Sequence, residues 1–392
     1  MFMQHYHRPR SALRLALCVR QQSINPFIRF LPDKMDSRKG QSGLLEIKKS
    51  LIARLEWISA KDTGKFDIVV MPDFFFDHFV SAGSVDKFIG DINEVCARKG
   101  GNILGHRQAF AQGGNAGNMA TALSSLGFNV HFIGRTSELG KSLIEKYLGS
   151  RGVDISHVKA DGELATTVAL EFENTNVMVS FSGSNANFGF DSLNERDMRL
   201  IENCDMLSVS NWSQNKKGTD LAKGAFAYAK KHGAMTYFDT GDPTTRRSDI
   251  PLLITEVHKK GLIDIFGLNE NELQQFSGRK CRTDGELIAA ADHFHKKCGC
   301  RLDFHTANFA YCAASGKGAL VNTFKIKPYR MTGAGDSWNA GNAFGELFCF
   351  APEERLMFAN AFAGAYISSP KPRHPTLPKV IEFIKNNELK EC

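Results

Sequence analysis

The sequence predicts an α/β protein with a mostly parallel sheet and a small β lid. Two observations carry this. Apolar runs at 66–71, 129–133, 205–209, 235–238 and 263–266 are separated by amphipathic stretches at 116–126, 138–149, 219–232 and 248–260, the alternation that βαβ units leave in a sequence. Regions 73–111 and 166–181 break that alternation with short extended pieces, and strands outside a parallel sheet suggest a lid.

Taken in order, apolar residues between 44 and 58 recur near helical spacing, so a helix leads into the strand at 66–71. The lid is expected from extended pieces at 74–80 and 102–110 and from two strands, 166–171 and 177–181, joined by Glu173-Asn174-Thr175-Asn176. A helix at 287–297 should stop at Gly299. The last third reads as strand pairs near 301–313 and 319–327, then helices at 335–349, 353–367 and 377–386. Residues 41–392 are expected to form one domain, with the lid segments as its appendage.

The composition, 42% hydrophobic and 23% charged over 392 residues, is that of a globular chain. The formal charge of +7 is largely local, because Arg8, Arg10, Arg14, Arg20 and Arg29 all precede the first acid, Asp33. Residues 1–40 are therefore set apart as a basic extension, either a transit-type segment or a misassigned start with Met35 as the true beginning. No basic-aromatic repeat or zinc-finger spacing marks the body, so an anionic small molecule is the expected partner rather than nucleic acid. Nine scattered cysteines do not make a disulfide framework. With no run near the ~20 apolar residues of a membrane span, the expectation is cytoplasmic, organellar import being the alternative.

The strongest chemical signal is Thr332-Gly333-Ala334-Gly335-Asp336, which follows an extended segment and opens a helix. Gly333 and Gly335 permit a tight turn and close ligand approach. Amides at a helix start favour an anion such as phosphate, and phosphoryl transfer needs a carboxylate to take the acceptor's proton. A plain dipole-complementing turn explains the string equally well when it stands alone. A second motif, Gly113-Gly114-Asn115-Ala116-Gly117-Asn118, precedes a helix rich in small residues. Its glycines allow a substrate close to the backbone, and Asn115 and Asn118 can bond a polyhydroxy ligand; the plainer alternative makes Asn115 a helix cap.

The two glycine motifs, in this order and far apart, resemble those of the ribokinase or PfkB family of carbohydrate kinases, over about 67–384. The resemblance implies a three-layer sandwich with a β lid, a nucleotide of ATP type with Mg²⁺, and a sugar or nucleoside acceptor. It implies Asp336 as catalytic base, Gly333, Ala334 and Gly335 as anion hole, and Asp77, Gly113, Gly114 and Asn118 as acceptor contacts, to which the chemistry of its side chain adds Asn115. Asn269-Glu270-Asn271-Glu272 is similar to the family's N-x-x-E element, which would put Glu272 near the metal through water; it also reads as a capping box. Asn269, Glu272, Thr332 and Asn308 are the expected nucleotide-side residues. Asp239-Thr240-Gly241-Asp242 looks like the family's loop near the phosphates, while Asp242-Pro243 reads more simply as a plain turn.

The chain departs from the pattern twice: Arg330 stands where an acid is common, and the segment from His305 to Ala310 replaces a glycine-bearing turn. These departures motivate an alternative, a non-catalytic sugar or nucleotide sensor. Exposed lid edges leave a homodimer open.

Overall fold

The computed structural model describes residues 40–60, 66–314 and 318–391, so the basic extension lies outside the described residues up to position 39. The first half comprises α1 (Gly40–Ser59), β1 (Asp67–Met71), β2 (Phe75–Gly83), α2 (Val85–Ala97), β3 (Gln108–Gly113), α3 (Asn115–Ser125), β4 (Asn129–Arg135) and α4 (Glu138–Tyr147). Next come β5 (Val153–Lys159), β6 (Ala165–Phe172), β7 (Asn176–Phe181), α5 (Glu195–Glu202), β8 (Met206–Val209), α6 (Gly218–Lys231), β9 (Met235–Asp239) and α7 (Ile250–Leu253). The remainder is β10 (Ile265–Asn269), α8 (Glu270–Ser277), α9 (Asp284–Cys298), β11 (Arg301–His305), β12 (Phe309–Ala313), β13 (Ala319–Asn322), α10 (Ala334–Leu347), α11 (Pro352–Ile367) and α12 (Leu377–Asn386).

Strand β1 explains the layering. Ile68 and Val70 enter the core under α1, α3, α10, α11 and α12, while Val69 and Met71 enter the core under α5, α6, α8 and α9. A strand covered on both faces has no solvent side, which is why it reads as a continuous apolar run. The nine-stranded sheet has the order β13-β12-β11-β10-β9-β8-β1-β4-β5. All neighbours from β11 to β5 are parallel, and β12 and β13 return antiparallel at one edge.

The two regions that broke the alternation form a second sheet, β3-β2-β6-β7. Its centre is the parallel pair β2 and β6, in which Asp77 lies opposite Thr167. Helices α3 and α10 pack on one another, and α10 packs on α11. Gly341 makes the last contact close, since a Cβ there would stand 2.9 Å from the Cα of Ala359. The rings of Phe344 and Phe358 then stack at 4.6 Å, and truncating either buried ring costs about 3–5 kcal/mol.

Several segments differ from expectation. Region 73–111 contains α2, whose Val85, Phe88, Ile89 and Ile92 follow helical spacing and whose N-cap Ser84 accepts the Lys87 N–H. Expecting lid strands there hid that period, and the following strand starts at Gln108 instead of near 102. The stretch at 248–260 is not one helix. A 3₁₀ turn at Pro243–Asp249, the short α7 and a π turn at Ile254–His258 replace it, and the wide turn carries the His258 ring inward to 4.7 Å from Phe266. The strand expected to reach 327 ends at Asn322. Gly299 does end α9, in the left-handed region at φ +76°.

Candidate active site

Polar residues crowd the carboxyl ends of adjacent parallel strands. Asp73 follows β1, Asn211 follows β8, Asp239 ends β9, Asn269 ends β10 and His305 ends β11. Open α/β sheets bind ligands along this crest.

The first glycine motif is shaped by two carboxylates. Asp73 accepts the N–H groups of Asn115 and Ala116 at 2.8 and 3.0 Å, and the Asn211 side-chain amide at 3.0 Å. An acid so placed at the start of α3 complements the helix dipole. Gly114 has φ +88°, and a Cβ on it would lie 2.9 Å from the backbone oxygen and Oδ2 of Asp73. A Cβ on Gly113 would lie 2.0 Å from Asp77 Oδ2. Both positions therefore need glycine so that the acids can lie against the chain. Asp77, Gly113 and Gly114 are brought together as expected. Asn115 is not the cap; Gly114 holds that position and Asn115 opens the helix.

Gly333, at φ +78°, is the N-cap of α10 and turns the chain into it. The Ala334 N–H bonds back to the Met331 carbonyl at 3.1 Å, so the amides left at the first turn are those of Gly335 and Asp336, which have no intrahelical acceptor. The Asp336 side chain is buried and reaches α3, where the Asn118 amide donates to its Oδ2 at 2.9 Å. The two glycine segments thus meet through Asn118 and Asp336.

Burial pushes the Asp336 carboxyl well above the ordinary carboxylate range, and the charges of Asp239 and Asp73 push it the same way, against the hydrogen bonds of Asn118 and Asn115. Asp239 is raised to about 6, first by burial and also by Asp73, although it accepts the Gly241 N–H at 2.7 Å and the Asn339 side-chain amide. Glu272 is driven up by burial, then by Asp239, with Asp242 and Asp336 adding. Its two oxygens are occupied by the Asn269 backbone and side-chain N–H groups, each at 2.8 Å, and Asn269 Oδ1 in return accepts the Glu272 N–H. The capping box is real.

The carboxyls of Asp239, Glu272 and Asp336, each raised by another of the acids here, are oxygen donors of the kind that fit a hard divalent ion such as Mg²⁺. Among the described residues no three His, Cys, Asp or Glu side chains are arranged to hold a metal directly, and the occupied oxygens of Glu272 suit contact through water.

Of the other expected residues, Thr332 lines the cleft beneath the lid with Asn118. Asn308 lies in the turn after β11, its Oδ1 3.2 Å from Lys390 Nζ. Asp73, Asn211 and Asn339 were not singled out from the sequence. Asp73 had a signal, an acid two residues past a fully buried strand. The remaining pair is visible only through partners distant in sequence. His305 lies beside the second glycine motif, its Nε2 3.5 Å from where a Gly335 Cβ would be and its ring 4.9 Å from Trp338. Burial lowers it to about 4, so the imidazole is neutral.

The sheet order, the lid and the joined glycine segments define a ribokinase-like α/β fold. Arabidopsis thaliana ribokinase, solved in complex with ribose and ATP, superposes with a TM-score of 0.68 at 20% identity, covering 82% of this chain and 99% of that one. The chain is 23% identical to the ribokinase of Haemophilus influenzae over 74% of its length and 92% of that protein's. It is 26% identical to the 5-dehydro-2-deoxygluconokinase of Clostridium botulinum over 70% of its length and 84% of that protein's. The pfkB family of carbohydrate kinases matches residues 81–380, and the chain belongs to that family. It is accordingly a carbohydrate kinase, a phosphotransferase acting on a sugar hydroxyl, and kinases of this family use ATP.

Proposed function

We propose that this kinase transfers the γ-phosphoryl group of ATP to a hydroxyl of a small sugar or nucleoside, with Asp336 as general base. The observation that carries this is the bond between Asn118, which lines the lid-covered cleft, and the buried Asp336 carboxylate behind it. Asp77 and the backbone at Gly113 and Gly114, with Asn115 and Asn118, hold the acceptor hydroxyls. The acceptor oxygen attacks the γ-phosphorus, the bond from that phosphorus to the β,γ-bridging oxygen breaks, and the hydroxyl proton passes to the Asp336 carboxylate. ADP leaves with the bridging oxygen.

The raised pKa of Asp336 makes its carboxylate a stronger base than a free aspartate, in the direction general-base catalysis requires. Charge developing on the migrating group is met at the Gly333-Ala334-Gly335 anion hole by the amides of Gly335 and Asp336, which the turn leaves without an intrahelical acceptor, and by the positive end of α10. Mg²⁺, held through water by Glu272 with Asp239 nearby, would supply neutralisation of phosphate charge when bound. Asn269 and Asn308 lie on the nucleotide side of this arrangement, Thr332, which lines the cleft next to the Gly333 turn, stands where nucleotide and acceptor meet, and residues 41–392 act as one kinase domain.

The test is a transfer assay with γ-labelled ATP and a panel of sugars and nucleosides. Label moving to an acceptor supports the reading. Acceptor binding without any transfer would favour a sensor instead.

A further inference from the structure

The cleft between lid and body, about 290 Å³, is lined on the lid side by Phe79 and Ala111, which share the face of Asp77, and on the body side by Asn118, Tyr366, Arg151 and Arg330. Two guanidinium groups face this small cleft, and among the described residues their hydrogen bonds go to neutral acceptors, with the Arg330 guanidinium also 5.5 Å from the Tyr366 ring centroid. Arg151 Nη1 donates to Gln112 Oε1 at 3.2 Å, and Arg330 donates to the carbonyls of Lys371 and Pro370, each at 2.8 Å. Among the described residues neither arginine is in an ion pair, while Arg301 and Arg355 are each paired with Asp303 and Glu346.

Two further facts point the same way. Burial depresses the Arg151 pKa and the charge of Arg373 adds to that, and Glu171, exposed on the lid, is the one acid among the lining residues. His374 lines the cleft too, its ring stacked on Tyr366 at 4.4 Å, and both its ring nitrogens are buried without a hydrogen-bond partner. A neutral imidazole in that position has one N–H and one lone pair to give to a ligand.

We infer that the acceptor of this kinase carries an anionic group, a carboxylate or a phosphate, recognised by Arg151 and Arg330 with His374 beside them. Planar guanidinium groups match both anions bidentately, and a cleft with low-dielectric walls strengthens the attraction. Arg330, where an acid was expected, then has a role of its own. The inference rests on reading this cleft as the acceptor site.

The experiment compares sugar acids, sugar monophosphates and their neutral parent sugars as acceptors for wild type, Arg151→Gln and Arg330→Gln, with thermal shifts recorded for every pair. The expected result is kcat/KM at least ~10-fold higher for one anionic class, and a KM for that class raised ~10–100-fold in each variant with a smaller change in kcat, the range set by losing a charged hydrogen bond. Which class responds separates carboxylate from phosphate. Neutral sugars turned over best, with variants indistinguishable from wild type, would overturn the inference while leaving the kinase reading intact. Anionic compounds that raise the melting temperature of wild type but not of the variants, with no acceptor phosphorylated, would keep the anion site and overturn the kinase reading. Unshifted melting temperatures and no transfer with any anion would also overturn the inference.

Discussion

The side-chain amide of Asn118 donates to the Asp336 carboxylate at 2.9 Å across 218 residues of sequence. That contact joins α3 to α10, and it favours the ionised form of the Asp336 carboxyl, the proposed base.

Asn118 lowers the Asp336 pKa against burial and neighbouring acids. Asn118→Ala should therefore raise it further, moving the acidic limb of the kcat–pH profile to higher pH, with a loss of roughly 10–100-fold at neutral pH. A pH-rate series on both proteins checks this. An unshifted limb would separate the amide from the base.

The two glycines should fail differently. Gly113→Ala drives a methyl into the Asp77 carboxylate, so the acceptor KM should rise at least ~10-fold, more than kcat falls. Gly114→Ala meets the Asp73 backbone at positive φ, and should destabilise the protein by about 1–3 kcal/mol. Steady-state kinetics and denaturant melts of the two variants distinguish these outcomes.

Burial lifts Asp77 to about 6, helped by the charge of Asp73 and opposed by the Thr167 hydroxyl. A carboxyl raised in the folded state binds more protons folded than unfolded between its two pKa values, so stability falls as pH climbs from about 4 to about 6. Asp77→Asn removes that loss. The variant should gain on wild type by up to ~2–3 kcal/mol at pH 7, and the gain should vanish near pH 4. Melts of the two proteins across this range measure the difference.

Removing divalent ions with a chelator should abolish turnover. Glu272→Gln should raise the Mg²⁺ concentration for half-maximal rate by about 10-fold or more, the usual effect of changing an outer-sphere group. A Mg²⁺ titration at fixed ATP reads this directly. An unchanged titration would leave Glu272 as a helix cap alone.

The parallel sheet was legible because strands such as β1 are buried on both faces and carry no polar interruption. Edge strand β5 was not, since Asp154, Ser156 and His157 break its apolar run. Glycine marked the site well. Gly113, Gly114 and Gly333 are there for close approach or positive φ, a demand that leaves few other residues possible. Asp73 and Asn339 escaped because their roles lie in partners on other strands and helices. An acid or amide looks the same in sequence whether it is solvated or buried. Helix α2 shows the reverse case: its spacing was readable, yet it buries no residue fully, so the lid pattern around it dominated the reading.

The most direct measurement is phosphoryl transfer by Asp336→Asn beside wild type, with acceptor binding followed by thermal shift. Transfer should fall about 10³-fold or more, within the range for losing a general base, while the acceptor still raises the melting temperature as in wild type. Turnover near the wild-type rate would contradict the account, because the proton would then leave by another route.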